Sequence, residues 1–556
     1  VRNATLDGKR GAKPAQFTGL GAYDFNYKGA FMCFRINIIR RFRRVLLLGC
    51  IAIPASFSVA SVSVADDYET VVDPESGIST RKRSLVLHPM AETVPALRIR
   101  LLPEAFHAKP GNAATYYLKA TGFFEQNAAR DELSRLQKEA ASKAKEQGKE
   151  LADVAPYSYL EMAPSELPVE DVRKYLELFR FQPFLLEEAR MRSVFEMDRN
   201  IKESDNPIGY LLPEIQAMRD LARTQSIRCR LAIAEGKTDD AIRVLSQQFA
   251  LARHLGQDDF IISGAVGIAI ASMAQSDALH VVQRADCPNL YWAIATMPNP
   301  LVGFDKAISI EANFIEMQFK SWRSITEEQR PDSFWEGVIQ QFATYTEDFP
   351  IEPPEDRGPD GRETPFGSLS RDDREAAIRK AIEAEHTAAR LYLIDQCGMT
   401  KEQVERYGNA QATFLAMKLH YERSRDEYFK WLYAPTPDCL KNLEKVEARM
   451  ADQKNHPLGR WTRMPCSLLP SLIGIKKASI RLQQNLAIIQ ALEGIRMYGA
   501  SHQGQLPSDL GQIPVPVSVD PATMSPLQYE LEGSSARIMT APVAGVRSEI
   551  SIRFAK

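Results

Sequence analysis

The sequence predicts a mainly α protein in which helical hairpins carry a small C-terminal α+β module. Three observations predict it. Apolar runs of helical spacing between residues 213 and 282 are punctuated by Gly236 and Gly256. A stretch dense in proline and glycine interrupts the chain at residues 350–370. After Ile480 an amphipathic run is followed by three short β-prone segments.

The chain opens on an export pattern. Residues 45–65 carry no charge and follow a basic flank of Arg35, Arg40, Arg41, Arg43 and Arg44. The run closes on the small residues Ser63, Val64 and Ala65, which predicts signal-peptidase cleavage after Ala65, ahead of Asp66 and Asp67. On this reading Met32 is the native start, residues 1–31 are upstream non-native sequence, and 32–65 are the signal peptide. Three other readings fit parts of the stretch. It is long enough for an uncleaved anchor, because about 18 or more uncharged residues can cross a bilayer. Leu47-Leu48-Gly49-Cys50 resembles a lipoprotein site, and Arg43-Arg44 a twin-arginine signal. The expected location is periplasmic or otherwise extracytoplasmic, with inner-membrane anchoring by residues 45–65 as the alternative.

Beyond residue 65 there are 59 Lys/Arg against 69 Asp/Glu, a net charge of −10. With no basic excess to meet a polyanion, nucleic acid is disfavoured as a partner, and a membrane enters only if residues 45–65 are retained. Five cysteines remain, Cys229, Cys287, Cys397, Cys439 and Cys466, without zinc spacing or a redox CxxC. Cys439 and Cys466 bracket one helical stretch and are read either as a disulfide or as isolated buried thiols.

Residues 66–349 read as a helical repeat-like domain, 350–370 as a Pro/Gly-rich linker, 371–470 as a further helical region and 471–556 as a helix plus small sheet. Within the first, residues 66–109 are mixed and proline-punctuated. In 131–150, Leu133, Leu136 and Ala140 have heptad spacing until Lys143 and Gln147 break it, the pattern of a solvated helix. At the centre, Ile242, Leu245, Phe249 and Ala252 fall on one helical face, and Asp239 and Asp240 place negative charge at its N-terminal end. In the next helix Gly264, Gly267, Ala271 and Ala274 recur at helical spacing, which admits a closely packed neighbour. Its apolar run, residues 261–274, is expected to be a buried core helix. Further on, Thr400 and Gln403 have capping-box spacing, and the helix they open is expected to run toward Trp431, where Pro435 and Pro437 end it.

The segment Leu231-Ala232-Ile233-Ala234-Glu235-Gly236, with Cys229 before it and Ala241 five residues after the glycine, resembles a tetratricopeptide-type repeat. Arg228 and Gln248 depart from that pattern. Pro110-Gly111-Asn112-Ala113-Ala114, with the residues from Tyr116 to Phe124, looks like the first helix of another. No period of about 34 residues runs through the chain, so the resemblance implies degenerate repeats.

In the C-terminal stretch Leu482, Leu486, Ile489, Leu492 and Ile495 form one apolar face that stops near Gly499. Residues 528–531, 536–539 and 550–554 are expected strands, with Glu532-Gly533-Ser534-Ser535 as a turn. Through Tyr498, Gly504, Leu506-Pro507, Leu510, Asp520-Pro521, Pro526 and Tyr529 this end resembles the globular heads of type II secretion pseudopilins. Met524 stands where such heads commonly have a turn glycine, and the long helix is internal, without a processed anchor. The combination of hairpins and head resembles an uncharacterised family of exported bacterial proteins, which implies no known activity.

HExxH, a Walker loop, a dinucleotide fingerprint and a GxSxG elbow are all absent from the sequence. The metal candidate is Glu383-Ala384-Glu385-His386, because Glu and His at i and i+3 share a helical face in di-iron bundles, where a second copy is required. Glu104-Ala105-Phe106-His107 and Asp277-Ala278-Leu279-His280 are the nearest approximations to that copy. Prolines flank the first, and the second has the wrong acid. His254, Asp258 and Asp259 can be drawn as an acid/base cluster, but their place at a helix end predicts a cation offsetting the dipole and acids starting the next helix. No catalytic, cofactor or metal residue is therefore assigned, and no cofactor is expected. The leading expectation is a non-enzymatic exported binding or assembly protein with protein partners in the cell envelope. The alternatives are a periplasmic hydrolase with an unrecognised site and a secretion or pilus accessory protein.

Overall fold

The computed structural model describes residues 68–123, 127–204, 207, 210, 212–345, 369–451 and 456–555. The expected export segment and nearly all of the expected 350–370 linker lie outside them. Along the described chain run β1 (Glu69–Val72), β2 (Ser79–Leu87), β3 (Lys109–Asn112), α1 (Asn127–Gln147), α2 (Gln182–Arg190) and β4 (Arg192–Val194). The central hairpins follow as α3 (Pro213–Ala234), α4 (Thr238–Leu255) and α5 (Ile261–Val281). Then come α6 (Asp305–Ala312), α7 (Asp332–Tyr345), α8 (Arg371–Asp395), α9 (Asn409–Phe429), α10 (Thr436–Ala451) and α11 (Leu472–Ser501). The chain closes on β5 (Val519–Asp520), β6 (Ser525–Pro526), β7 (Gln528–Glu532), β8 (Ser535–Met539) and β9 (Val546–Phe554). The fold is mainly helical with a small sheet region at the C-terminus.

The two hairpin glycines work differently. Gly236 has φ +72°, a left-handed conformation that ends α3 at little steric cost. Gly256 is right-handed, and what requires glycine there is space: a Cβ would sit 2.7 Å from the Gly303 carbonyl oxygen. The small-residue stripe on α5 admits close neighbours, since a Cβ on Gly267 would lie 2.6 Å from the Ala252 carbonyl of α4 and one on Gly264 would strike the Phe304 ring. The α4 residues Ile242, Leu245, Phe249 and Ala252 are all buried. Although α5 has the length and apolar composition to cross a membrane, 78% of that window is buried inside the fold. It packs between α4 and α11.

Two expected helices take another form. Around residue 116 there is only a short helix, Ala114–Leu118, followed by a tight π turn broken at Gly122, where φ is +91°. Pro110 and Gly111 lie instead in β3, which pairs with β4. The helix capped by Thr400, whose hydroxyl accepts from the Gln403 amide at 3.2 Å, stops at Glu405. Arg390 draws off its terminal carbonyls, donating to Val404 and Tyr407 at 2.8 Å each, and α9 starts afresh after Gly408. Pro437 then lies in the first turn of α10, where a missing N–H costs nothing.

The sheet is not confined to the C-terminal stretch. Its order is β1-β2-β9-β8-β7, and β9 is flanked by antiparallel β8 and by parallel β2, in register from Ser79 opposite Val546 to Leu87 opposite Phe554. Leu85 and Leu87 therefore enter one continuous core with the hairpin residues Leu245, Phe249 and Ile270 and with Leu492, Ile495, Ile538 and Ile552. A buried ion pair stitches this core together. Glu493 and Arg496 of α11 meet at 2.9 Å, both fully buried. Glu493 accepts from the Leu290 amide at 3.0 Å, while Arg496 donates to the carbonyls of His88 at 3.0 Å and Cys287 at 2.7 Å. Asp520 ties the head in the same manner, accepting from Gln484 of α11 at 2.9 Å and from the amides of Ala522 at 2.8 Å and Ala541 at 2.7 Å. A second core, drawn from residues 315–464, is built on Trp322, Phe342, Phe414, Tyr421 and Trp461. By contrast α1 is mostly exposed, and its buried Ala140 and Ala144 form a small cluster with Val154.

Candidate functional site

The end of α4 brings His254, Asp258 and Asp259 close in sequence, but their side chains diverge. His254 is 2% exposed. Its Nε2 lies 2.9 Å from the Arg192 carbonyl, an acceptor only, so the proton is on Nε2 and Nδ1 accepts from the Tyr117 hydroxyl at 2.8 Å. Burial lowers its pKa to about 4, so the ring is neutral near pH 7 and is not the cation expected at this helix end. That role falls to its neighbour Arg253, in the last turn of α4. Asp258 pairs with Arg199 and accepts from Ser263 in the first turn of α5. Asp259 pairs with Lys306 at 2.9 Å.

Beside this corner an open cavity of about 380 Å³ lies between the end of α4 and residues 298–306. Pro298, Pro300 and Leu301 give it an apolar wall, while Arg253, Gln257, Asp305 and Lys306 line the rest. Lys306 is held by Asp259 and, at 3.5 Å, by Glu196. Arg253 pairs with no carboxylate among the described residues, so its charge is available to a ligand. The close approach of Gly256 to Gly303 keeps the floor low. The sequence draws attention to this helix end through His254, one residue away, read there as a structural group and not as a site residue. Residues 298–306, which form the facing wall, carry no signal in the sequence that places them beside α4.

The metal candidates are engaged elsewhere. Glu385 accepts from the Trp461 and Thr462 amides at 2.9 and 2.8 Å and from the Thr462 hydroxyl at 2.7 Å, capping the short helix Arg460–Arg463. Glu383 faces Asn409 at 3.3 Å, and His386 is half-buried beside them on α8. Glu104 and His107 are an exposed pair 3.4 Å apart, with Arg100 on the same carboxylate. Asp277 is fully buried and accepts from Ser226 at 2.9 Å, Gln248 at 3.0 Å and Arg230 at 3.3 Å, whereas His280 meets Arg83 of β2 at 3.1 Å. Among the described residues no three metal-ligating side chains converge. All five cysteines are free thiols, with Cys439 and Cys466 packed in different core clusters.

No family model, curated protein or solved structure matches the chain.

Proposed function

We propose that this chain is a non-enzymatic, exported binding or assembly protein that receives a partner protein of the cell envelope at the corner of its central hairpin. The observation that supports this reading is the open cavity at the end of α4, with its apolar proline wall and the unengaged charge of Arg253. Such a mixed, solvent-open surface on rigid helices suits an extended segment of another chain, which offers side chains to the wall and a counter-charge to the guanidinium. Export rests on the basic flank ahead of residues 45–65, and the acidic mature composition favours protein over nucleic acid. A photo-crosslinking residue placed at Asp305 in cells producing the full chain tests the reading. A discrete protein adduct is expected there, absent from the same probe at Lys143 on the exposed helix α1 and weakened by Arg253→Glu. Equal labelling at both positions, or an adduct indifferent to Arg253→Glu, would defeat it.

A further inference from the structure

The second core ends in a joint made of two imidazoles. His420 lies on α9, and His456 opens the segment that passes through the short helix Arg460–Arg463 to Leu468. Their rings meet edge to face with centroids 4.6 Å apart. Tyr392 of α8 stands against His420, hydroxyl to Nδ1 at 3.4 Å, and His456 Nδ1 accepts from the Leu458 amide at 3.1 Å, which places the His456 proton on Nε2.

The groups around the pair come from every neighbouring element. Arg423 of α9 and Arg463 of the short helix act on His420 as positive charges, and Arg463 acts on His456 as well. Arg463 donates to the carbonyls of Leu458 at 3.1 Å and Gly459 at 3.3 Å, and Arg423 to that of Gln396 at 3.5 Å. Cys397 beyond α8 and Cys466 beyond the short helix are thiols held neutral by burial. The described carboxylate in this surround is Glu385, already engaged by the amides of Trp461 and Thr462. A proton added to either ring therefore enters a site with two guanidiniums and no unengaged carboxylate among the described residues. Burial, followed by the neighbouring ring and the two arginines, lowers His420 from 6.5 to about 4, and burial with Arg463 lowers His456.

We propose that the His420–His456 pair is an acid-operated latch, which holds residues 456–468 on α9 while both rings are neutral and releases them when the rings become cations. The segment carries Leu458, Trp461 and Met464, all buried against the second core, so release uncovers an apolar face. Because the folded rings bind protons less readily than unfolded ones, the stabilisation is complete above about pH 6.5 and is lost as the pH falls toward about 4.

Hydrogen exchange on the full chain, corrected at each pH for the intrinsic rate, tests the latch. Between pH 7 and pH 4.5, peptides spanning residues 456–468 should lose protection by roughly tenfold or more while α4 and α5 keep theirs. In the double variant His420→Gln, His456→Gln that loss should disappear. Unchanged protection in the native protein, or the same loss in the variant, would overturn the proposal. Should the variant not fold, imidazole titration of the native protein by NMR decides. Rings titrating below about pH 5.5, in step with the loss of protection, support the latch, and rings titrating near about 6.5 overturn it.

Discussion

The two large cores of this protein are assembled by different means. The first draws on the start, middle and end of the chain and contains fully buried charges, Glu493 with Arg496 and Arg230 with Asp277, held by hydrogen bonds from several segments. The second uses residues 315–464 and relies on aromatic contact: Phe319 stacks on Phe342 at 4.1 Å, and Trp322 meets Tyr421 edge-on at 5.5 Å. Ring packing is satisfied by either a stacked or an edge-to-face arrangement of neighbours. A buried ion pair is tied to one arrangement of its neighbours, and here those neighbours are segments that must be brought into the same register. The difference teaches that long-range assembly in this chain is specified by polar side chains, and local assembly by shape.

That contrast can be broken most forcefully at the ion pair. Arg496→Ala should cost about 3–5 kcal/mol, because it leaves the Glu493 carboxylate buried without its partner. Denaturant unfolding should show the loss in the first core, and replacing both residues by Met and Leu should recover much of it. Equal destabilisation by the single and double variants would mean that charge is not what matters at this position. In the second core Phe342→Ala should cost about 3 kcal/mol or somewhat more by cavity formation. Its signature is a drop independent of pH, whereas loss of protection confined to α5 would place the ring in the wrong core.

Smaller changes sharpen the comparison. Gly267→Ala should destabilise by about 1–3 kcal/mol, since the new methyl meets backbone on α4 and one helix must move. Thermal unfolding is the check, and a neutral result would show that the two helices are not held at this separation. Met524 has φ +59° in the turn between β5 and β6. Met524→Gly should therefore stabilise the head by about 0.5–1 kcal/mol, net of the glycine's greater chain entropy, read as a small rise in Tm.

The central hairpins were legible because their apolar residues repeat at helical spacing and glycines interrupt them where helices end. The three C-terminal strands were legible because a glycine turn separates alternating runs. In contrast β2 was not, since Arg81, Lys82 and Arg83 occupy its middle and its apolar residues come only at the end. The strand is stabilised by β9, which no local pattern announces. The helix break at Tyr407 was hidden for a related reason, because the carbonyls there are satisfied by Arg390 from another helix. Of the candidate site, the end of α4 was visible, but the fate of His254 depends on Tyr117 and Arg192, which lie 137 and 62 positions earlier.

The pairing of β2 with β9 also sets an order in time. The strand that fills the middle of the sheet is the last of the described elements in chain order, 467 positions after its partner at Thr80 and Arg547. Until it arrives β2 has no parallel neighbour, and the Leu85 and Leu87 side chains lack part of the surface that covers them. A core closed by two strands so far apart in the chain is slow to complete, because joining distant segments costs entropy. The part of the first core that needs both strands is the part that forms last.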